Sequence, residues 1–245
     1  MAGHSKFKNI MHRKGAQDNK RAKVFTKVVR EIIVAAKTGI PDPQLNSRLR
    51  VAIAAAKDVN LPKDKIEAAI KKATTAGCGD NYDEIRYEGY GPCGTAVIVE
   101  AMTDNRNRTS SEVRSTFSKF GGNLGETGCV SYLFKHKGLI SYPTTIDSYD
   151  NLISFAIETE AEDCEQHGDE FIILCDIVKF HDISDKLEAK YGQASRSLIT
   201  WLPLTEVSIN STDEEKVLKF LDHLDDLDDV QNVYINAEIE SGKES

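Results

Sequence analysis

The period of the apolar residues changes once along this chain, and the change divides it. Val24, Phe25, Val28, Val29, Ile32, Ile33 and Ala36 recur at helical spacing. That spacing predicts a helix beginning at Asp18, a capping residue type, and stopped by Gly39 and Pro41. "PDPQLNSRLRVAIAAAKDVN" offers Leu45, Leu49, Ile53 and Ala56 on one face of a second helix. "LPKDKIEAAIKKATTAG" supplies a third, with Pro62 near its first turn and Gly77 at its end. Successive amphipathic helices bury their apolar faces on one another, so residues 18–78 read as a three-helix domain behind an extended arm, 1–17.

Beyond Gly77 short apolar strands alternate with helices. "GTAVIVEAM" reads as a strand and "RTSSEVRSTFSKFGG" as a helix, followed by two short strands around Lys137-Gly138 in "VSYLFKHKGLISY". Helices over "SYDNLISFAIETEAED" and "FHDISDKLEAKYG" flank the strand "DEFIILCD", and "SLITWLP" is another strand. "TEVSIN", "TDEEKVLKFLDHLDDLD" and "VQNVYINAEI" give a closing strand, helix and last strand. The fold class expected is α+β: an N-terminal three-helix domain followed by two ferredoxin-like α+β domains, the third inserted into the second. The second domain would combine 79–128 with 204–240, around an insertion at 129–203.

Charge follows the same division. Residues 1–76 carry a net +11, 77–140 a net −1 and 141–245 a net −18, within an overall −8. Such an arrangement places a basic segment for a polyanion against an acidic body in solvent. The basic residues are Lys6, Lys8, Arg13, Lys14, Lys20, Arg21, Lys23, Lys27 and Arg30, with His4, His12 and Phe7 interleaved. On the first helix they fall opposite the apolar stripe, so the basic side is expected to face out. In "TDNRNRT", Arg106, Asn107 and Arg108 read as a loop entering a helix capped by Thr109, Ser110 or Ser111; Arg forks suit phosphates or base edges and Asn amides can read bases. Against these functional readings stand a solvated basic face and a hydrogen-bonded turn.

Other chemistries find little support. "GYGPCG" matches a dinucleotide-loop spacing, but a polar loop is read before it and a strand after it, so it is a turn. Six histidines and five cysteines show no metal-ligand spacing and no C-x-x-C pair, which fits reduced thiols. "DHLDDLDDVQ" lacks the central Gly and closing Glu of a calcium loop and reads as a solvated helix face. No nucleophile has a base at diagnostic spacing, so an enzyme is not expected, nor a cofactor or small-molecule substrate. No apolar run spans a bilayer and no secretory h-region is present. The Ser-poor arm running straight into a helix argues against a mitochondrial presequence, leaving a cytoplasmic protein as the expectation.

The segments "MAGHSKFKNIMHRKGAQDNKRAKVFTKVVREI", "EGYGPCGTAVIVEAMTDNRNRTSSEVRSTFSKFGGNLGETG" and "VSYLFKHKG" resemble the signature segments of the YebC/PmpR family, whose mitochondrial relative is the translational activator of cytochrome c oxidase. The resemblance runs over nearly the whole chain and implies the same three-domain arrangement. It also implies one of two roles: a DNA-binding transcriptional regulator, or a ribosome-associated translation factor relieving stalling on proline-rich stretches. Phe7 stands where the family usually has Trp, and Cys93 where it usually has Gly. The chain shows no convincing recognition helix, zinc finger or basic zipper, and its basic helix is Lys-rich. Ribosomal RNA is therefore the favoured partner, with DNA the alternative.

Overall fold

A computed structural model describes residues 21–75 and 81–239; the arm, its Asp18 cap and the stop expected at Gly77 lie outside them. The elements run α1 (Arg21–Thr38), α2 (Ser47–Asp58), α3 (Lys63–Thr74), β1 (Asp83–Tyr90), β2 (Ala96–Thr103), α4 (Arg106–Lys119) and β3 (Asn123–Leu124). They continue with β4 (Phe134–Pro143), α5 (Tyr149–Glu158), β5 (Asp163–His167), β6 (Glu170–Cys175), α6 (Phe180–Tyr191) and β7 (Arg196–Pro203). The last are β8 (Val207–Ile209), α7 (Ser211–Asp225), β9 (Val230–Ile235) and β10 (Ala237–Ile239). Two compact units result, residues 134–202 and the remainder.

In the larger unit, α1, α2 and α3 bury Ile32, Ile33 and Ala36 against Leu49, Ala52, Ala56, Ile66 and Ala69. Leu45, expected on that apolar face, is exposed and precedes the helix, because Asn46 starts α2. The Asn46 side chain accepts from the Leu49 amide at 3.0 Å and donates to the Ala35 carbonyl near the end of α1 at 2.8 Å. One residue thus caps a starting helix and satisfies an ending one.

The same unit holds an antiparallel sheet of order β3-β1-β2-β9. α4 and α7 cover one face, packing Val113, Phe117, Val217 and Phe220 on Val97, Val99, Val233 and Ile235. β1 occupies the stretch read as a polar loop before "GYGPCG". Two of its acidic residues take tertiary partners that periodicity cannot reveal. Glu84 pairs with Arg48 at 2.8 Å, and buried Glu88 accepts the Val130 and Ser131 amides at 3.1 and 2.8 Å. "VQNVYINAEI" is two strands rather than one, since Asn236 diverts the chain. Its side chain accepts from the Ala96 amide at 2.7 Å, and β10 then pairs in parallel with β8.

The inserted unit follows β-α-β-β-α-β with sheet order β5-β6-β4-β7, the ferredoxin-like arrangement. Ile140, Tyr142, Phe171 and Ile173 meet Leu152, Ala156, Phe180, Ile183 and Leu187 in its core. The two strands expected around Gly138 are one ten-residue strand, β4. Glycine marks a close approach there, not a turn: an added Cβ would lie 2.8 Å from Cys175 Sγ and nearer still to the Phe180 ring.

Candidate nucleic-acid interface

Of the basic residues singled out, Lys6, Lys8, His12, Arg13, Lys14 and Lys20 lie outside the described residues; Arg21 opens α1, its side chain undescribed. Lys23, Lys27 and Arg30 project from successive turns of α1, as their spacing dictates, but they are engaged within the fold, Lys23 more exposed than Arg30. They meet the C-terminus of α7 and the turn after it. Lys23 Nζ donates to the Asp226 carbonyl at 2.6 Å, with carboxylate oxygens of Asp226 and Asp228 at 3.9 and 4.0 Å. Lys27 Nζ donates to the Asp225 carbonyl at 3.0 Å. Arg30 donates to the Asp228 carbonyl at 2.6 Å and the Met102 carbonyl at 3.2 Å, while its guanidinium lies 5.2 Å from the Tyr82 ring centre.

Physical chemistry accounts for the docking. A helix C-terminus leaves carbonyls unpaired and carries the negative end of the macrodipole, so cations collect there. Asp225, Asp226, Asp228 and Asp229 add four carboxylates to that end. "DHLDDLDDVQ", read as a solvated helix face, is therefore a helix end and turn that receives the basic side of α1. The expectation of an outward basic side is corrected with it, since the two segments meet only in the tertiary fold.

Asp229 is the centre of the contact and is 2% exposed. One carboxylate oxygen takes Arg30 at 3.0 Å. The other accepts Arg108 at 2.6 Å, Thr109 at 2.7 Å and Thr103 at 3.0 Å. Burial pushes this carboxyl up, but the bonds from Arg108, Thr109 and Thr103 and the Arg30 charge outweigh it and hold it below the ordinary carboxylate value.

Arg106, Asn107 and Arg108 form the first turn of α4, one turn earlier than the loop reading placed it. Asn105 is the cap, accepting the Arg108 amide at 3.1 Å, so Thr109 is freed to bind Asp229. Arg106 pairs with Asp83 at 2.7 Å and holds that carboxyl below its usual value. Arg108 bridges Asp104 and Asp229, and their carboxylates push its pKa up. Asn107 is exposed.

A basic surface the sequence reading did not single out lies on the other helices. Lys57, Lys63, Lys65, Lys71 and Lys72 are all exposed along α2 and α3. Residues 21–75 hold 12 Lys or Arg and 5 Asp or Glu, a net +7. Their signal was present in the sequence as "KDK" and "KK", without an aromatic or an Arg to distinguish it. "GYGPCG" is a turn after a strand, with Cys93 at φ +61° and Gly94 at φ +73°, and no helix follows it at once. Among the described residues no three His, Cys, Asp or Glu side chains are grouped to hold a metal ion, and no helix is long and apolar enough to cross a membrane.

Comparison with known proteins locates this architecture. Residues 5–76 match the model of the TACO1/YebC protein N-terminal domain, and residues 82–237 that of the TACO1/YebC second and third domain. A "probable transcriptional regulatory protein" of Rickettsia bellii (strain OSU 85-389) is 53% identical over 240 residues, 98% of this chain and 94% of the relative. Another so named, from strain RML369-C, is 52% identical over 98% of this chain and 95% of the relative. The crystal structure of a conserved hypothetical protein from Aquifex aeolicus superposes with a TM-score of 0.81 at 45% identity, covering 93% of this chain and 94% of that one. Matched from its N-terminal helices to its last strands, the chain belongs to the TACO1/YebC family.

Proposed function

We propose that the protein is a non-enzymatic, nucleic-acid-binding regulator of gene expression that acts on the ribosome through ribosomal RNA, easing translation through stalling-prone, proline-rich stretches. The observation that carries this reading is the set of exposed lysines on α2 and α3, Lys57, Lys63, Lys65, Lys71 and Lys72, which outnumber the exposed acids Asp58, Asp64 and Glu67 there while α1 spends its cations within the fold. Lysine is a compact point charge that positions a partner on phosphates without reading bases. α1 has its basic side against the 225–229 turn, a poor arrangement for a helix meant to enter a major groove. Structured RNA, recognised by shape and backbone, suits such a surface. Lys6, Lys8, His12, Arg13, Lys14, Lys20 and Arg21 would extend it, with Arg106, Asn107 and Arg108 as a second patch. DNA-binding transcriptional regulation is the second reading, favoured by the names of the Rickettsia relatives.

Co-sedimentation with ribosomes at graded salt tests the choice, comparing the full chain with one lacking residues 1–17, which leaves the α1 core intact. The full chain should pellet at low salt and be released as salt rises. Charge reversal at Lys63, Lys65, Lys71 and Lys72 should lower binding at every salt concentration. Failure to pellet, combined with tight and sequence-selective binding to a promoter, would establish the DNA reading instead.

A further inference from the structure

We propose that the 225–229 turn is an internal stand-in for nucleic-acid backbone, holding the basic side of α1 until phosphates displace it. This rests on the nucleic-acid reading above and adds competition for the same cations. Lys23, Lys27 and Arg30 each grip oxygens of one short acidic turn, at 2.6, 3.0 and 2.6 Å, much as they would grip successive phosphate oxygens.

The contact is graded. At one end the side chains of Lys23 and Asp226 are 41% and 40% exposed, and that of Asp228 is 79% exposed. At the other, Arg30 and Asp229 are 14% and 2% exposed. Exposed pairs are weak and screened by salt, whereas the buried pair is costly to break. The seam therefore opens from Lys23 and pivots about Arg30.

A cavity of about 190 Å³ lined by Lys23, Thr26, Lys27, Arg30, Leu227 and Asp228 lets an anion approach before the seam parts. Duplex nucleic acid carries about one charge per 1.7 Å, a density that a four-aspartate turn cannot match. Displacement would free Lys23 and Lys27 of α1 to join the lysines of α2 and α3, and only when a polyanion is present.

Two measurements on the full chain test this, with a fluorescein-labelled RNA duplex as probe. Asp226→Asn with Asp228→Asn removes the exposed carboxylates and spares the carbonyls and Asp229. It should tighten binding about three- to tenfold, the worth of two partly exposed ion pairs. Asp213→Asn with Glu214→Gln, at the far end of α7, removes the same charge and should tighten binding much less; equal effects would show simple repulsion and overturn the proposal. Hydrogen exchange of amides 226–230 should speed up when the native chain is saturated with probe. Unchanged or slower exchange would show binding with the turn still docked and would overturn the competition alone. If neither the native chain nor the variant binds the probe, the competition and the nucleic-acid reading fall together.

Discussion

Asp229 joins Arg30 and Arg108, residues from α1 and α4, at one buried carboxylate. Removing it takes the carboxylate from half-buried Arg30, one of two from Arg108, and the acceptor of buried Thr103 and Thr109, so Asp229→Ala should cost about 2–4 kcal/mol in urea unfolding. Its folded pKa is held below the unfolded value, so its contribution is complete above about pH 4 and is lost as pH falls through the folded pKa. Acid unfolding of Asp229→Asn should lack that component, with the pH dependence flattened below about pH 4. Glu88 is likewise held low and gives the same sign of dependence: burial alone would raise it, but amide bonds from Val130, Gly128 and Ser131 and the Arg86 charge outweigh that. Cys93 takes a left-handed backbone in its turn, a conformation that favours glycine. Cys93→Gly should therefore raise stability by up to about 1 kcal/mol in thermal unfolding, relief of strain exceeding the added chain entropy.

Helices and strands are fixed at their ends by single side chains. Asn105 begins α4 and so decides that Arg106 and Arg108 are helical and that Thr109 points at Asp229. Asn105→Ala should cost about 1 kcal/mol, with faster amide exchange confined to the first turn of α4. Within β4, Gly138 allows Phe180 to sit on the strand. Gly138→Ala should cost about 1–3 kcal/mol by overpacking and should lower the melting of the 134–202 unit before the rest. Both positions were visible as residue types, but their roles were not. Thr109, Ser110 and Ser111 are cap types too and were read as the cap in place of Asn105, and Gly138 looked like a turn because its neighbour Phe180 lies far along the chain.

Across the whole molecule, charge is the organising quantity. Part of the positive N-terminal segment is neutralised by the acidic segment within the fold, so salt acts twice, on the internal seam and on any external polyanion. Moderate salt should loosen the 21–38 contact, read as faster exchange of amides 226–230 in the free protein, before it unfolds the sheet. Apolar periodicity was enough to reach the α+β class, the three leading helices and most strands. Apolar period depends on near neighbours in the chain and survives without tertiary contacts. The sequence also disclosed the division of charge. Where that charge goes was not legible until the fold brought its two halves together. Arg108 and Asp229 are 121 positions apart, and nothing local in "LDDLDDV" distinguishes the buried aspartate from its solvated neighbours. Whether a basic stripe faces water or a helix end depends on which surface the apolar stripe beside it docks upon, and that is settled by packing among distant elements.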